Sequence, residues 1–332
     1  MNRFFSLALI ACCFLPLSAR IHAQLLEPET PSVLPPEANA QDGTANPAAE
    51  QNALPPENAK TALGTDIPDS LDLTPQQEDQ LRQITETLFE VPPTRSGGGD
   101  AEIVEIPLSL HEALGQLQSG NERLAAVEAY WHLRSVIAAL GVETRIRESA
   151  EKAFSVLGQA QNDTPDYQAL MAAYRVNLSS ADAQIAQLRV EIREGQIDLM
   201  RKTRRSIELG WPIPSSVPWY GNYSLQSEAA QSRSFELASE AILIPEKIRA
   251  CYTSGFALGA PESLFTPEVS GFERIDDGYL YLKTLDNKRL AALGYIRVLE
   301  SLNCSIARYV SAYAPTIDTR TFVNCLIGNA EE

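Results

Sequence analysis

Histidine and cysteine are scarce in this 332-residue chain, three and five residues, and its 27 Lys+Arg are outnumbered by 43 Asp+Glu, for a formal net charge of −16. Each shortage excludes something. A chain this acidic is a poor partner for nucleic acid, whose phosphates require clustered positive charge. No spacing among the His and Cys residues matches a zinc site or a Cys/His nucleophile. No catalytic, cofactor-binding or metal residue is therefore assigned, no cofactor is expected, and the chain is not read as an enzyme. Long apolar runs are also lacking. Phe4 to Leu17 is the longest, too short to span a bilayer comfortably, and no window holds eighteen uninterrupted apolar residues. Aromatics are absent from residues 24–73, which instead carry eight of the 21 prolines.

The apolar run at the N-terminus follows Asn2 and Arg3 and precedes small-residue cleavage sites after Ala19 or Ala23. Residues 1–23 thus read as a signal peptide and the chain as exported. Leu9-Ile10-Ala11-Cys12 also resembles a bacterial lipobox, which would make Cys12 a lipid anchor. Ordinary cleavage is the favoured reading, because the apolar stretch continues through Cys13, Phe14 and Leu15. Residues 24–73 form a Pro-rich acidic linker that buries too little apolar area to offset its conformational entropy. Leu34-Pro-Pro-Glu-Ala-Asn-Ala40 and Leu54-Pro-Pro-Glu-Asn-Ala59 are near-copies within it, either a repeated docking motif or chance duplication. Residues 74–100 hold a short helix, with Thr74 as cap, Pro75 at its first position and Gln77 completing a capping box, then the joint Ser96-Gly97-Gly98-Gly99.

Residues 101–315 read as a mainly α-helical domain, followed by a C-terminal tail, 316–332. Ser109 and Glu112 form a second capping box. A long helix runs from Asn121 to about Ala160, and Asn162 to Pro165 supply a turn and the start of the next, expected to reach Leu209 before Gly210 and Pro212. Within that second helix Met171, Tyr174, Leu178, Ala181, Ile185, Leu188, Ile192, Gly195 and Leu199 alternate by three and four, a heptad seam. At 1.5 Å per residue, its 45 or so residues make a rod of about 65 Å, and the simplest partner is the helix before it. A second pair is expected at about Ser224–Phe256, with Pro245 inside, and Tyr281–Tyr313. The fold class is mainly α: two long antiparallel coiled-coil helical hairpins behind a disordered leader.

In the last helix Tyr295 is followed eight residues later by Asn303 and then by Ile306-Ala307-Arg308-Tyr309. This resembles the late-helix pattern of TolC-like outer-membrane efflux proteins. Leu108-Ser-Leu-His-Glu-Ala-Leu114 is similar to that family's opening L-T-L-x-E-A-L. Ala129-Tyr130-Trp131-His132-Leu133, Trp211-Pro-Ile-Pro214 and Pro218-Trp-Tyr-Gly221-Asn-Tyr223 resemble segments of its divergent members. The resemblance covers about residues 105–315. It implies a subunit of an outer-membrane efflux or export duct, in the periplasm and outer membrane. It implies a homo-oligomer, a trimer, with helical hairpins forming a periplasmic barrel, and a periplasmic adaptor protein as a further partner. Family members usually carry four strands of about ten residues that build a membrane β-barrel. No such set is found here; Ala101 to Leu108 and the 211–223 loop are too short or too rich in proline. The alternative is a non-conducting periplasmic or surface coiled-coil module.

Further expectations attach to single residues. His132 and Glu128 form an i,i+4 surface pair. Arg201, Lys202, Arg204 and Arg205 either touch anionic lipid or complement the end of a helix. Trp211, Trp219, Tyr220 and Tyr223 form either an interfacial belt or a cap on a helix bundle. Asp276-Asp277-Gly278 reads as a turn. Of Cys251, Cys304 and Cys325, the pair Cys304–Cys325 is the expected bridge if any forms, since a reversal at Pro315 brings the two together. A turn centred on Asp163 sets Trp131 over Gly195, a large knob over the seam's one glycine; otherwise Gly195 is a tolerated weak point and Trp131 faces another helix.

Overall fold

The computed structural model describes residues 73–90, 105–159, 164–226, 229, 232, 234–260, 264, 272 and 274–327. The signal peptide with Cys12, the linker with its near-repeat, the glycine joint and the turn at Asn162–Asp163 lie outside these residues. Among them the chain is mainly helical, with seven α-helices and two short strands. Helix α1 is Pro75–Leu88, β1 is Glu105–Leu108, α2 is Leu110–Leu114, α3 is Gly120–Gln159 and α4 is Pro165–Thr203. A 3-10 turn at Ile207–Leu209 leads into β2, Trp211–Pro214, followed by α5 (Phe235–Phe256), α6 (Ile275–Tyr313) and α7 (Thr319–Ile327). No described helix is long and apolar enough to cross a membrane.

Local chemistry fixes the helix starts. The capping boxes of α1 and α2 are both formed, Thr74 with Gln77 and Ser109 with Glu112, so two otherwise orphaned N–H groups are satisfied at each. Pro165 opens α4, where its missing N–H is harmless. The end of α4 differs from expectation: the helix stops at Thr203, because Arg204 turns left-handed at φ 56°. Residues 205–226 then cross the end of the bundle. Helix α5 starts only at Phe235, capped by Ser234. Helix α6 starts at Ile275, so Asp276 and Asp277 sit in its first turn rather than in a free turn. There their negative charge complements the helix N-terminus. The expected tail after Pro315 instead contains α7, whose Phe322, Val323 and Leu326 are buried.

Helix α3 lies at the centre, with α4 on one side and α6 on the other, and α5 packs on the far side of α6. Chain directions alternate along this row. Arg204 pairs with Glu122 at 2.5 Å and Arg147 with Asp182 at 2.5 Å, so α3 and α4 run oppositely. His132 meets Glu300 at 3.0 Å and Arg289 meets Glu143 at 3.2 Å, which does the same for α3 and α6. Lys247 of α5 donates to the Ser301 carbonyl of α6 at 3.2 Å. Away from the 205–226 segment, α4 also touches α6 directly, Tyr174 donating to the Gly278 carbonyl at 3.2 Å. A small satellite core of Ala153, Leu157, Tyr167, Leu170, Met171 and Tyr174 closes that end.

The contact between Trp131 and Gly195 is corrected. A Cβ on Gly195 would stand 3.1 Å from Leu133 Cδ1, so Leu133 is the knob and the register is two residues from the expected one. Two residues turn an α-helix by about 200°, which sends Trp131 to the other face of α3. Trp131 is buried there, edge-on to Tyr130 at 5.2 Å. The bridge between Cys304 and Cys325 is likewise absent: all three cysteines are free. Burial pushes the thiols of Cys251 and Cys304 up to about 12, which leaves them unreactive as nucleophiles.

Candidate functional site

Two features of the bundle have the character of working surfaces. The first is the pinned segment 211–226. Strands β1 and β2 pair in parallel, Glu105 beside Trp211 through Leu108 beside Pro214. The Tyr130 hydroxyl donates to the Leu108 carbonyl at 2.8 Å and accepts from the Ser215 and Ser216 N–H groups at 3.1 and 2.9 Å. The Ser216 hydroxyl accepts from Leu110 N–H at 3.0 Å. Arg134, 1% exposed, donates through Nε to the Ser216 carbonyl at 3.3 Å and through Nη2 to the Phe89 carbonyl. Burial pushes its guanidinium down to about 10, because no carboxylate is hydrogen-bonded to it and only carbonyls and the Phe89 ring, 5.5 Å away, meet the charge.

The residues that carry the family resemblance work on this same segment. Asn303 donates to the Trp219 carbonyl at 2.9 Å and accepts from Trp219 N–H at 2.8 Å. Tyr309 accepts from Gln226 N–H at 3.0 Å. The Tyr295 hydroxyl meets Thr85 of α1 at 2.8 Å. One face of α6 therefore fastens both α1 and the crossing segment. Trp219 and Tyr220 are half-buried against the core, and Tyr223 stands edge-on between Trp219 and Tyr309 at 5.9 and 6.2 Å. The basic cluster is met locally. Arg201 and Lys202 pair with Asp198 at 2.6 and 2.9 Å, and Arg204 pairs with Glu122.

The second feature is the outward face of α4. Its expected seam faces inward: Met171, Tyr174, Ala181, Ile185, Ile192 and Leu199 are buried, with Leu178 and Leu188 half-buried. On the opposite side of the helix runs another three-four pattern, Val176, Ser179, Ala183, Ala186 and Val190, which passes through Arg193 to Ile197. All six uncharged positions are exposed, with Val176 at 70% and Ile197 at 55%. A helix face that only meets water normally carries charge at the point farthest from the core. Here that line is apolar or small from Val176 to Val190, about four turns. It is interrupted by the exposed Arg193, which lies over the Trp211 ring at 4.8 Å, and resumes at Ile197. The charges of Arg175, Asp182, Arg189 and Glu194 flank it. Helix α5 has a matching outward face at Ile242, Leu243, Glu246, Ala250 and Thr253.

Among the described residues no three His, Cys, Asp or Glu side chains converge as a metal site. The strongest titratable cluster lies between α3, α5 and α6, where Arg308 donates to Glu128 at 2.6 and 2.8 Å and lies 3.7 Å from Glu240. His132 is corrected here: its partner is Glu300, not Glu128. No protein-family model matches the chain, and comparison with curated proteins and with solved structures returns no significant match.

Proposed function

We propose that this chain is a TolC-like envelope protein, exported to the periplasm and outer membrane, that serves as a subunit of an efflux or export duct. Its two pairs of long helices are read as antiparallel coiled-coil hairpins, assembled as a homo-oligomer, a trimer by resemblance, with a periplasmic adaptor as further partner. The observation that carries the reading is the uncovered heptad face of α4, at one edge of an alternating row of four helices. A helix with two opposed seams is built to be sandwiched, and among the described residues nothing covers the outer one. The order of the resembling segments supports it, as does the use of Tyr295, Asn303 and Tyr309 to fasten α1 and the crossing segment.

A second reading, a non-conducting coiled-coil module, is favoured by one observation. The strands among the described residues are two, each of four residues, whereas a barrel strand that crosses a bilayer takes about 9–11. Fractionation separates the two. A duct subunit resists salt and carbonate extraction, needs detergent for release, and runs as a heat-labile trimer. Release into the wash as a soluble species overturns the duct and leaves the module.

A further inference from the structure

In the sequence, helix α1 lies between the Pro-rich leader on one side and Pro92-Pro93 with Ser96-Gly97-Gly98-Gly99 on the other. Its 14 residues make too short a helix to persist alone in water. Its order comes from outside, along one face. Leu81, Ile84, Thr85, Leu88 and the following Phe89 are buried, while Arg82, Gln83 and Glu86 are exposed. Anchors three, four and seven residues apart are the pattern by which an amphipathic helix fills a groove.

That groove is built by α3, α5 and α6. Gly255 of α5 lies at its floor: a Cβ there would collide with Leu81 and stand 3.0 Å from the Tyr295 ring. Thr85 gives its hydroxyl proton to the Leu81 carbonyl, so at 2.8 Å it accepts from Tyr295. Gln80 donates to the Gly259 carbonyl at 3.0 Å. The last turn of α1 holds no basic residue, and α3 supplies two. Arg145 donates to the Thr87 carbonyl at 3.2 Å and pairs with Glu90 at 2.8 Å, and Arg134 donates to the Phe89 carbonyl. Both cations thus stand at the negative end of the helix dipole, so the groove reads the direction of its helix as well as its apolar face. Docking also sets the Phe89 ring 5.5 Å from the Arg134 guanidinium. A buried cation without a carboxylate partner is costly, and that cost is relieved when α1 leaves.

We propose that this surface is a binding groove for an amphipathic helix, and that α1 occupies it as a tethered ligand. In this arrangement α1 docks and undocks as a unit while α3, α4, α5 and α6 stay packed together. The groove depends on neither the duct nor the module, since every contact in it lies within one chain.

The full chain tests it. In Leu81→Asp a carboxylate faces the apolar floor at Gly255, so α1 is released and the groove is vacant. A fluorescent peptide of residues 73–91 should then bind saturably, about tenfold or more tighter than to the parent, whose groove is filled from within. Adding Gly255→Ala should weaken that binding about tenfold, although alanine favours the α5 helix itself. In the unaltered chain the amides of Ile84, Thr85 and Leu88 should exchange together, about a hundredfold faster than those of Leu133 to Ala138. Equal peptide binding by the parent and Leu81→Asp would overturn the groove. Exchange of the α1 amides at the rate of α3, or loss of helical circular dichroism throughout the Leu81→Asp chain, would make α1 an inseparable part of the core and overturn the tethered ligand.

Discussion

Helices α3 and α4 have nearly the same length, 40 and 39 residues, yet they occupy different environments. Through its middle α3 is buried almost all the way round, from Ala129 to Ala138 with only His132 exposed. Helix α4 is buried along one line and carries Val176, Val190 and Ile197 in the open. Composition does not explain this, since α3 buries Arg123, Arg134 and Glu143 while α4 leaves valines outside. Position does. Helix α3 has neighbours in α1, α2, α4, α6 and β2, whereas α4 stands at an edge. The charged residues inside α3 are tolerated because each is given polar or aromatic company. Arg123 donates to the Ile317 carbonyl at 2.6 Å and lies over Phe322, and Glu143 holds Arg289.

One substitution made in each helix puts that contrast to its hardest test. Ala138→Asp places a carboxylate at a site 2% exposed, and should destabilise by about 3 kcal/mol. Ala183→Asp, on the outward face of α4, should change the stability of the isolated chain by less than about 0.5 kcal/mol. Urea unfolding of both variants reads the gap directly. A difference below about 1 kcal/mol would mean that α3 is not enclosed as described, or that α4 is already covered.

The next largest effect concerns the hydroxyls that fasten segments to these helices. Tyr130→Phe removes one atom that serves the Leu108 carbonyl and the Ser215 and Ser216 N–H groups. It should cost about 2–3 kcal/mol and loosen the crossing segment. Tyr174→Phe on α4 removes a single bond, to the Gly278 carbonyl, and should cost about 1 kcal/mol. Denaturant midpoints rank the two, and amide exchange at Ser215 and Ser216 should accelerate in the first variant alone. Equal costs would break the distinction between the two ends of the bundle.

Features set by residues three or four apart were legible in the sequence. Both capping boxes, the proline start of α4 and its inward seam depend on such spacings, and all are present. What depends on partners distant in sequence was not. Arg204 ends α4 in a left-handed conformation without the glycine that usually marks such an end, so the helix is read six residues too long. The seam's glycine is rightly identified as a packing position, but a two-residue error in register exchanges Leu133 for Trp131. The outward line of α4 repeats every seven residues in Val176, Ala183, Val190 and Ile197 and is broken by Arg193. Small residues give it little weight beside its aromatic and leucine-rich counterpart. Tyr130 and Arg134 carry no local signal at all, because their partners lie about 22 to 86 residues away in the chain.

His132 supplies the smallest effect, at the one exposed point in the middle of α3. Its Nδ1 faces Glu300 at 3.0 Å, with its side chain 61% exposed. That hydrogen bond holds its pKa above the ordinary 6.5, opposed by partial burial and aided by the charge of Glu300 itself and of the more distant Glu191 and Asp198. The cation is thus favoured in the folded chain, and folding is accompanied by proton uptake. The stabilisation is complete below the unfolded value and is lost as pH rises through the folded one. His132→Gln should therefore be less stable than the parent at pH 6 and converge with it by about pH 8. Solvent screening limits the gap to about 0.2–1 kcal/mol, and added salt should shrink it further. Parallel urea titrations of parent and variant across that range measure it. A gap that stayed constant, or widened toward pH 8, would show that Glu300 does not hold the protonated ring, and that this contact between α3 and α6 is not electrostatic.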